Sequence, residues 1–109
     1  MVKVGIIGNG YISASHRQAF KELTDEGIDV KVVAVADIRP EFTESCKGKE
    51  RIYGDYSELL KNEIGNLDFV DICLPTHLHS PVAVEAMDMG YNVLCEKPMA
   101  IDTAAAQAM

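Results

Sequence analysis

The chain of 109 residues has no tryptophan, only three cysteines and fewer basic than acidic side chains. Ten Lys and Arg stand against 17 Asp and Glu, and the formal net charge of −7 disfavours binding to nucleic acid or to an anionic membrane surface. There is no apolar run of the ~20 residues that a membrane-spanning helix needs, and no signal-peptide pattern. We therefore expect a cytoplasmic protein whose partners include neither nucleic acid nor a membrane.

The cysteines and histidines show no pattern typical of a disulfide framework or a metal site. Cys46, Cys73 and Cys95 lack Cys-x-x-Cys spacing, and their number is odd. Two of them lie in apolar segments, where a thiol behaves as a small hydrophobic group. His77 and His79 alternate as some zinc ligands do, but no third ligand has suitable spacing. The sequence therefore predicts reduced, structural cysteines and no bound metal.

The start of the chain carries the most informative pattern, because an apolar segment at residues 2–7 leads directly into a glycine-rich turn and then a helical pattern. The turn reads Gly8, Asn9, Gly10, Tyr11, Ile12 and Ser13. In a dinucleotide loop Gly8 permits the tight turn and Gly10 lets the backbone approach the pyrophosphate, while the helix directs its free N–H groups at the anion. Ser13 occupies the third glycine position, where a small residue satisfies the packing requirement. We expect residues 8–12 to contact the cofactor; the alternative is a tight turn that binds nothing.

A second apolar segment, residues 30–36, ends at Asp37. In dinucleotide-binding folds an acid at this point accepts hydrogen bonds from the adenosine ribose. A 2′-phosphate about 4 Å away would meet about 4 kcal/mol of repulsion per charge at an effective dielectric of about 20, so we expect NAD to be preferred, with NADP possible. Ile38 and Arg39 are expected to contact the cofactor too, and the Arg39 guanidinium could neutralise a phosphate. The alternative is that Asp37 only caps a short helix before Pro40.

Strands and helices alternate along the rest of the chain. Further strands are predicted at residues 51–53, 67–74 and 92–95, and helices at about 11–26, from near Pro40, after Asp55, from Ser80 to Gly90 and from Asp102 or Thr103. Such repeated units predict an α/β fold, a Rossmann-like doubly wound parallel sheet of order 3-2-1-4-5. The loops that begin at Gly8, Asp37, Pro75 and Lys97 would then share the carboxyl edge of the sheet.

The first helix places Ile12, His16, Phe20 and Leu23 on one face. His16 should therefore face the sheet or its edge. We interpret it as a hydrogen-bonded packing histidine, with a functional role as the alternative.

Three features together resemble the glucose-fructose oxidoreductase and inositol dehydrogenase family, also called Gfo/Idh/MocA. They are the glycine loop with His16 downstream, the stretch Pro75-Thr76-His77-Leu78-His79, and the triplet Glu96-Lys97-Pro98. The resemblance covers essentially the whole chain, as the N-terminal NAD(P)-binding domain of a larger enzyme. Thr76 replaces the commoner asparagine, and Ser13 the commoner glycine or alanine.

The resemblance implies an NAD(P)-dependent oxidoreductase that acts on a sugar, a polyol or a related hydroxyl or carbonyl compound. Lys97 would be the catalytic residue, beside the nicotinamide and the small-molecule substrate, where an ammonium stabilises a developing alkoxide. Glu96 could hold Lys97, and Pro98 could fix the turn; the alternative is a salt-bridged surface turn. Further cofactor contacts are expected at Cys73, Leu74, Pro75, Thr76, His79, Glu96, Lys97 and Pro98.

In this family a second, mostly β domain supplies a further acid/base pair and most of the sugar pocket. We therefore expect residues 1–109 to be a dinucleotide-binding domain, truncated near its C-terminal end and inactive by itself. An uncovered strand edge and apolar face at that end predict a homo-oligomer. A non-catalytic dinucleotide-binding sensor or regulator of the same fold is the second possibility. Lys97 favours the enzyme, since a sensor does not need it.

Overall fold

The computed structural model describes residues 1–97 and 100–109; Pro98 and Met99 lie outside the described residues. The strands are β1 (Val2–Ile7), β2 (Val30–Ala36), β3 (Arg51–Tyr53), β4 (Phe69–Ile72) and β5 (Val93–Cys95). The α-helices are α1 (Tyr11–Asp25), α2 (Tyr56–Asn62), α3 (His79–Asp88) and α4 (Thr103–Ala108). Short 3-10 turns occupy Pro40–Phe42, Glu44–Cys46 and Thr76–Leu78. Among these helices none has the length and apolar character needed to cross a bilayer.

The strands form one parallel sheet of order β3-β2-β1-β4-β5, which confirms the predicted Rossmann-like topology. The last residues of the strands are in register. Ile7 of β1 lies opposite Ala36 of β2 and Ile72 of β4. Ala36 lies opposite Tyr53 of β3, and Ile72 lies opposite Cys95 of β5. The residue that follows each strand therefore reaches the same edge. The predicted convergence of the loops that begin at Gly8, Asp37, Pro75 and Lys97 at this edge is confirmed.

Two apolar cores lie on opposite faces of the sheet, as expected for a doubly wound fold. Side chains along β1 alternate between the two faces, so this strand contributes to both cores: Val4 and Ile6 face one core, and Ile7 faces the other. Phe20 and Leu23 of α1 pack on the first core. The second core contains Leu59, Leu60, Val82, Ala83 and Ala86 of α2 and α3.

Four local expectations differ from the structure. Helix α3 begins at His79 and not at Ser80 or Pro81, because the Thr76–Leu78 turn runs directly into it. Ser80 does not cap this helix, since its buried hydroxyl donates to the Ala105 carbonyl at 2.8 Å and ties α3 to α4. Strand β4 is shorter than predicted. Ile12 is 38% exposed and so lies at the margin of the α1 face.

The short edge strand β3 supports the position of Asp37. The Asp37 amide donates to the Tyr53 carbonyl at 3.2 Å. Behind β3, the buried Glu63 carboxylate accepts two hydrogen bonds from Arg51, at 2.6 and 2.7 Å, and a third from the Tyr53 hydroxyl. The Arg51 guanidinium holds the pKa of Glu63 below its ordinary value, although burial opposes this. The strand beside Asp37 therefore depends on one ionised side chain.

We expect Glu63→Gln to lower the free energy of unfolding by about 1–2 kcal/mol at pH 7, because hydrogen bonds to a charged group are lost while half-exposed Arg51 is partly screened. A lowered folded pKa contributes stability above the ordinary value of 4.5, and this contribution disappears as the pH falls through the folded pKa. Urea unfolding from pH 7 to pH 3 measures both effects. Glu26→Gln, which changes an exposed acid at the end of α1, is the matched control; equal losses in both variants would contradict the prediction.

Candidate functional site

Gly8 makes the turn that begins the site. Its φ of +88° lies in the left-handed region that favours glycine. A Cβ at this position would lie 2.8 Å from the Cys73 carbonyl oxygen and 2.9 Å from Leu74 Cδ2. The Gly8 amide donates to the Ala36 carbonyl at 2.8 Å. The turn is thus wedged between the ends of β2 and β4, at the point where the strand order reverses.

The N-terminus of α1 faces the same edge. Gly10 is its N-cap and provides no side-chain hydrogen bond, and the first turn contains no acid. The free N–H groups and the positive end of the helix dipole therefore remain available to an anion. Ser13 is buried one turn in, and its hydroxyl donates to the Gly10 carbonyl at 2.7 Å. A small side chain thus fits the third glycine position and adds a hydrogen bond that glycine lacks.

The Asn9 side chain points away from this edge and anchors the loop. Its amide nitrogen donates to the Phe42 carbonyl, and its Oδ1 accepts from Arg17 Nε at 3.0 Å. Arg17 in turn forms a bidentate pair with Glu50, at 2.5 and 2.9 Å. The backbone of Asn9 contacts the functional edge, where its amide donates to Asp37 Oδ2 at 2.8 Å. This explains a role for Asn9 that the loop pattern did not indicate.

Asp37 is buried and accepts four hydrogen bonds. Oδ2 accepts from the Asn9 amide and Arg39 Nη2, and Oδ1 from the amide and Nε of Arg39, all at 2.8–2.9 Å. Burial favours a raised pKa, but the hydrogen bonds from Arg39 and Asn9 outweigh it and lower the pKa. Asp37 does not cap the Pro40–Phe42 turn, whose N-cap is Arg39 without a side-chain bond. The capping alternative is therefore wrong.

The Arg39 guanidinium lies over the glycine loop. It stacks on the Phe42 ring, with Cζ 3.9 Å from the ring centroid, and a Cβ on Gly10 would lie 3.3 Å from its Nη2. With four donors in place, the carboxylate of Asp37 has its roughly four acceptor sites filled. A ribose hydroxyl can bind Asp37 only when Arg39 moves aside. The sequence places Asp37 and Arg39 two positions apart, but it does not reveal that Arg39 and a ribose hydroxyl would compete for the Asp37 carboxylate.

A mainly apolar cleft of about 330 Å³ opens beside Asp37. It is lined by Ile7, Ala36, Asp37, Ile38, Arg39, Asp55, Tyr56, Leu74, Pro75 and Leu78. An apolar cleft with the carboxylates of Asp37 and Asp55 in its lining suits a flat ring that carries a hydroxylated group. A larger and more open groove of about 520 Å³ lies between α1 and the first residues of β2, away from the strand ends.

On the other side of Gly8, His16 links two carboxylates. Its Nδ1 lies 2.6 Å from Asp71 Oδ2 on β4, and its Nε2 lies 2.6 Å from Glu96 Oε2 after β5. The predicted hydrogen bonding of His16 is confirmed, and its partners are side chains of the sheet edge. Sequence reasoning missed Asp71, which is fully buried. The sequence signal that could have identified Asp71 is a single acid within a strand that has both faces covered.

Lys97 is exposed at the same edge, and its backbone amide donates to Glu96 Oε1 at 3.1 Å. Within residues 1–97 and 100–109 its ammonium forms no ion pair within 4 Å, so the described chain offers no support for a salt-bridged surface turn. The predicted contact of Pro98 falls outside the described residues.

The remaining predicted cofactor contacts differ in accessibility. Tyr11 and Ile38 are 95% and 79% exposed at the edge. Pro75 is exposed and Thr76 half-buried in the loop after β4. His79 is buried, and its Nε2 donates to the Leu74 carbonyl at 2.7 Å, so it braces this loop from inside. Cys73 is buried beneath Gly8 and offers its backbone to the turn. Contact of each with a cofactor stays a prediction.

Comparison with known proteins places this geometry among oxidoreductases. Residues 2–109 match the family model described as an oxidoreductase family with an NAD-binding Rossmann fold. The chain is 38% identical over 103 residues to an uncharacterised oxidoreductase of Rhizobium meliloti, covering 94% of this chain and 30% of that protein. It is 30% identical over 106 residues to a myo-inositol 2-dehydrogenase of Thermotoga maritima, covering 94% of this chain and 30% of that protein. The chain thus spans about 30% of the length of these curated relatives.

Solved structures show the same fold. The WlbA dehydrogenase of Bordetella pertussis, in complex with NADH and UDP-GlcNAcA, aligns with a TM-score of 0.85 at 27% identity. The alignment covers 98% of this chain and 32% of that one. A myo-inositol 2-dehydrogenase of Lactobacillus plantarum aligns with a TM-score of 0.82 at 29% identity. This alignment covers 98% of the present chain and 30% of the dehydrogenase chain.

We expect Gly8→Ala to destabilise the fold more than Gly27→Ala. Both positions have positive φ, which costs an alanine roughly 1–2 kcal/mol. Only at Gly8 would the added methyl group meet backbone at 2.8 Å, because nothing lies within 4 Å of a Cβ at Gly27. Overpacking adds about 1–3 kcal/mol. Chemical denaturation of the two variants measures the difference, and equal destabilisation would show that the wedge at Gly8 is not tight.

Proposed function

Because the chain belongs to the oxidoreductase family with an NAD-binding Rossmann fold, Gfo/Idh/MocA, we propose that residues 1–109 form the dinucleotide-binding domain of a dehydrogenase. The enzyme transfers hydride between a nicotinamide cofactor and a sugar, a polyol or a related hydroxyl or carbonyl compound. The observation that carries the proposal is that the glycine turn, Asp37 and Lys97 share one sheet edge. The substrate class is supported by relatives named inositol, levoglucosan and D-apiose dehydrogenase.

The cofactor pyrophosphate binds at the N-terminus of α1. The uncapped N–H groups after Gly10 supply hydrogen bonds and a positive dipole end to an anion. The adenosine end lies in the cleft beside Asp37, whose apolar walls suit an adenine ring. The nicotinamide end then extends across the switch point towards the loops after β4 and β5. When bound, the nicotinamide supplies the hydride acceptor or donor; the chain binds and orients it.

The ribose competes with Arg39 for Asp37. Binding requires the guanidinium to release at least one carboxylate oxygen, at a cost limited by the half-exposed position of Arg39, where ion pairs contribute up to about 1 kcal/mol. Arg39 can remain stacked on Phe42 beside the ribose. The two ribose hydroxyls then replace its hydrogen bonds to Asp37. A 2′-phosphate would bring negative charge against the same carboxylate, so NAD is the preferred cofactor.

We expect the chain to bind NAD(H) at least about tenfold more tightly than NADP(H), a difference of ~1.4 kcal/mol. Asp37→Ser removes the carboxylate and leaves Arg39, so the preference should shift towards NADP(H). Isothermal titration of the unaltered chain and of Asp37→Ser with both cofactors measures this preference. Asp88→Ser removes an exposed acid of α3 as the charge-matched control. Tighter NADP(H) binding by the unaltered chain would contradict the assignment of Asp37.

Lys97 acts at the reacting centre. It follows the fifth strand, at the nicotinamide side of the edge, and its ammonium forms no ion pair with the described residues. An ammonium there orients the substrate oxygen and stabilises the charge that develops on it during hydride transfer. It also supports proton transfer to or from that oxygen.

We expect Lys97→Ala in the full-length enzyme to lower kcat by roughly 100-fold or more, in the range of a lost acid–base group, with little change in NAD(H) affinity. Steady-state kinetics and cofactor titration measure both quantities, with Lys61→Ala on the exposed side of α2 as control. Near-normal turnover would rule out the catalytic role. A full-length protein that binds NAD(H) but turns over none of the sugars and polyols tested would instead favour the non-catalytic sensor.

Three further expectations belong to this proposal. The enzyme works in the cytoplasm as a homo-oligomer, with Leu94 of β5 and Ile101 before α4 among the exposed apolar side chains near the C-terminal end. The small-molecule pocket beyond Lys97 is formed with residues outside this chain.

A further inference from the structure

Three secondary-structure elements meet at the His16 imidazole. His16 comes from the second turn of α1, Asp71 from the middle of the sheet on β4, and Glu96 from the residue after β5. Both ring nitrogens lie 2.6 Å from a carboxylate oxygen. The imidazole is 18% exposed, Asp71 fully buried and Glu96 26% exposed. The proposed cofactor and substrate chemistry assigns no role to His16 or Asp71.

The geometry requires two protons on the three groups. Each N···O distance of 2.6 Å is a hydrogen-bond distance, and a carboxylate oxygen can accept but cannot donate. With both acids ionised, both ring nitrogens carry a proton and His16 is an imidazolium. Burial raises the pKa of Asp71, and its hydrogen bond to His16 opposes this. Asp71 also needs this partner, since an unpaired charge at a fully buried position is strongly unfavourable.

The surrounding charges favour the imidazolium. Burial lowers the pKa of His16, but the hydrogen bonds and negative charges of Asp71 and Glu96 outweigh it and raise the pKa above 6.5. Among the described residues, the Cys73 thiol on β4 also lies against the ring, with Sγ 3.6 Å from Nδ1. Burial raises the pKa of this thiol, so it stays neutral. On α1 itself, the neighbouring Arg17 is paired with Glu50.

Glu96 connects His16 to Lys97. One oxygen of its carboxylate, Oε2, binds His16, and the other, Oε1, accepts from the Lys97 amide at 3.1 Å. The Glu96 amide donates to the Ile72 carbonyl of β4 at 3.1 Å. The backbone bond from Glu96 and the Glu96 carboxylate thus help to hold the chain segment that carries Lys97, and His16 fixes that carboxylate.

We propose that His16 is a positioning residue, a charged clamp that joins Asp71 to Glu96 and thereby fixes Lys97 relative to the sheet. The proposal rests on the catalytic role of Lys97 proposed above. It assigns a purpose to the histidine eight residues after Gly8, which neither the glycine loop nor the packing of α1 requires. Loss of the clamp leaves the loop and the Asp37 cleft intact, so cofactor binding persists while Lys97 loses its orientation.

The protonation state is tested by NMR on the 109-residue chain. We expect both ring nitrogens of His16 to show imidazolium ¹⁵N shifts at pH 7 and a titration midpoint above the ordinary histidine value of 6.5. Glu96→Gln should lower this midpoint, because it removes one of the two negative charges. A neutral, singly protonated His16 at pH 7, with a midpoint at or below 6.5, would overturn the clamp whatever the activity of the enzyme.

The positioning role is tested by kinetics on the full-length enzyme. We expect His16→Gln to lower kcat by up to about 100-fold, the effect of displacing a reacting group by about 1 Å, while KM for NAD stays within about threefold. Lys21→Gln removes one positive charge from the exposed side of α1 and is the matched control. Unchanged kcat in His16→Gln, or loss of NAD binding, would overturn the clamp. If Lys97→Ala is fully active, the proposed catalytic role fails instead, and the NMR result still decides the state of His16.

Discussion

The five strands run parallel and their last residues lie in register, and every other feature of the site depends on this arrangement. The register brings residues that follow separate strands to one edge, although they are up to about 90 positions apart in the chain. Because the edge lies at the switch point between β1 and β4, the loops after these strands diverge and leave a crevice. Gly8 sits in this crevice with no room for a side chain. Backbone packing therefore comes first, and the polar chemistry is arranged around it.

Charge at the edge is organised into two separate groups, one on each side of the glycine turn. On the β2 side, Asp37 is satisfied by Asn9 and Arg39, a set of bonds that an incoming ribose can partly replace. On the β4 and β5 side, Asp71 is fully buried, so its charge needs a permanent partner within the protein. The first group suits reversible binding, and the second suits fixed positioning. This difference follows from the exposure of the two cationic partners, since Arg39 is 48% exposed and His16 is 18% exposed.

The fold was predictable because its signals are local. Continuous apolar segments indicated parallel strands, and glycine and acidic residues marked the ends of β1 and β2. The boundary of α3 was missed because the Thr76–Leu78 turn has no local signal that separates it from the helix that follows. The role of Asn9 was missed for another reason. Its partners, Phe42 and Arg17, lie 33 and 8 positions away, so no spacing rule links them.

The sequence by itself determined the α/β class, the strand order, the glycine turn and the placement of Asp37 and Lys97 at strand ends, because each follows from periodicity or from residues adjacent in the chain. Only the tertiary structure decided that Arg39 covers Asp37 and that His16 bridges Asp71 and Glu96. The second cluster joins positions 55 and 80 residues apart. Such contacts arise only when a helix docks on a sheet in a particular register, and this register is set by the packing of both cores rather than by any local pattern.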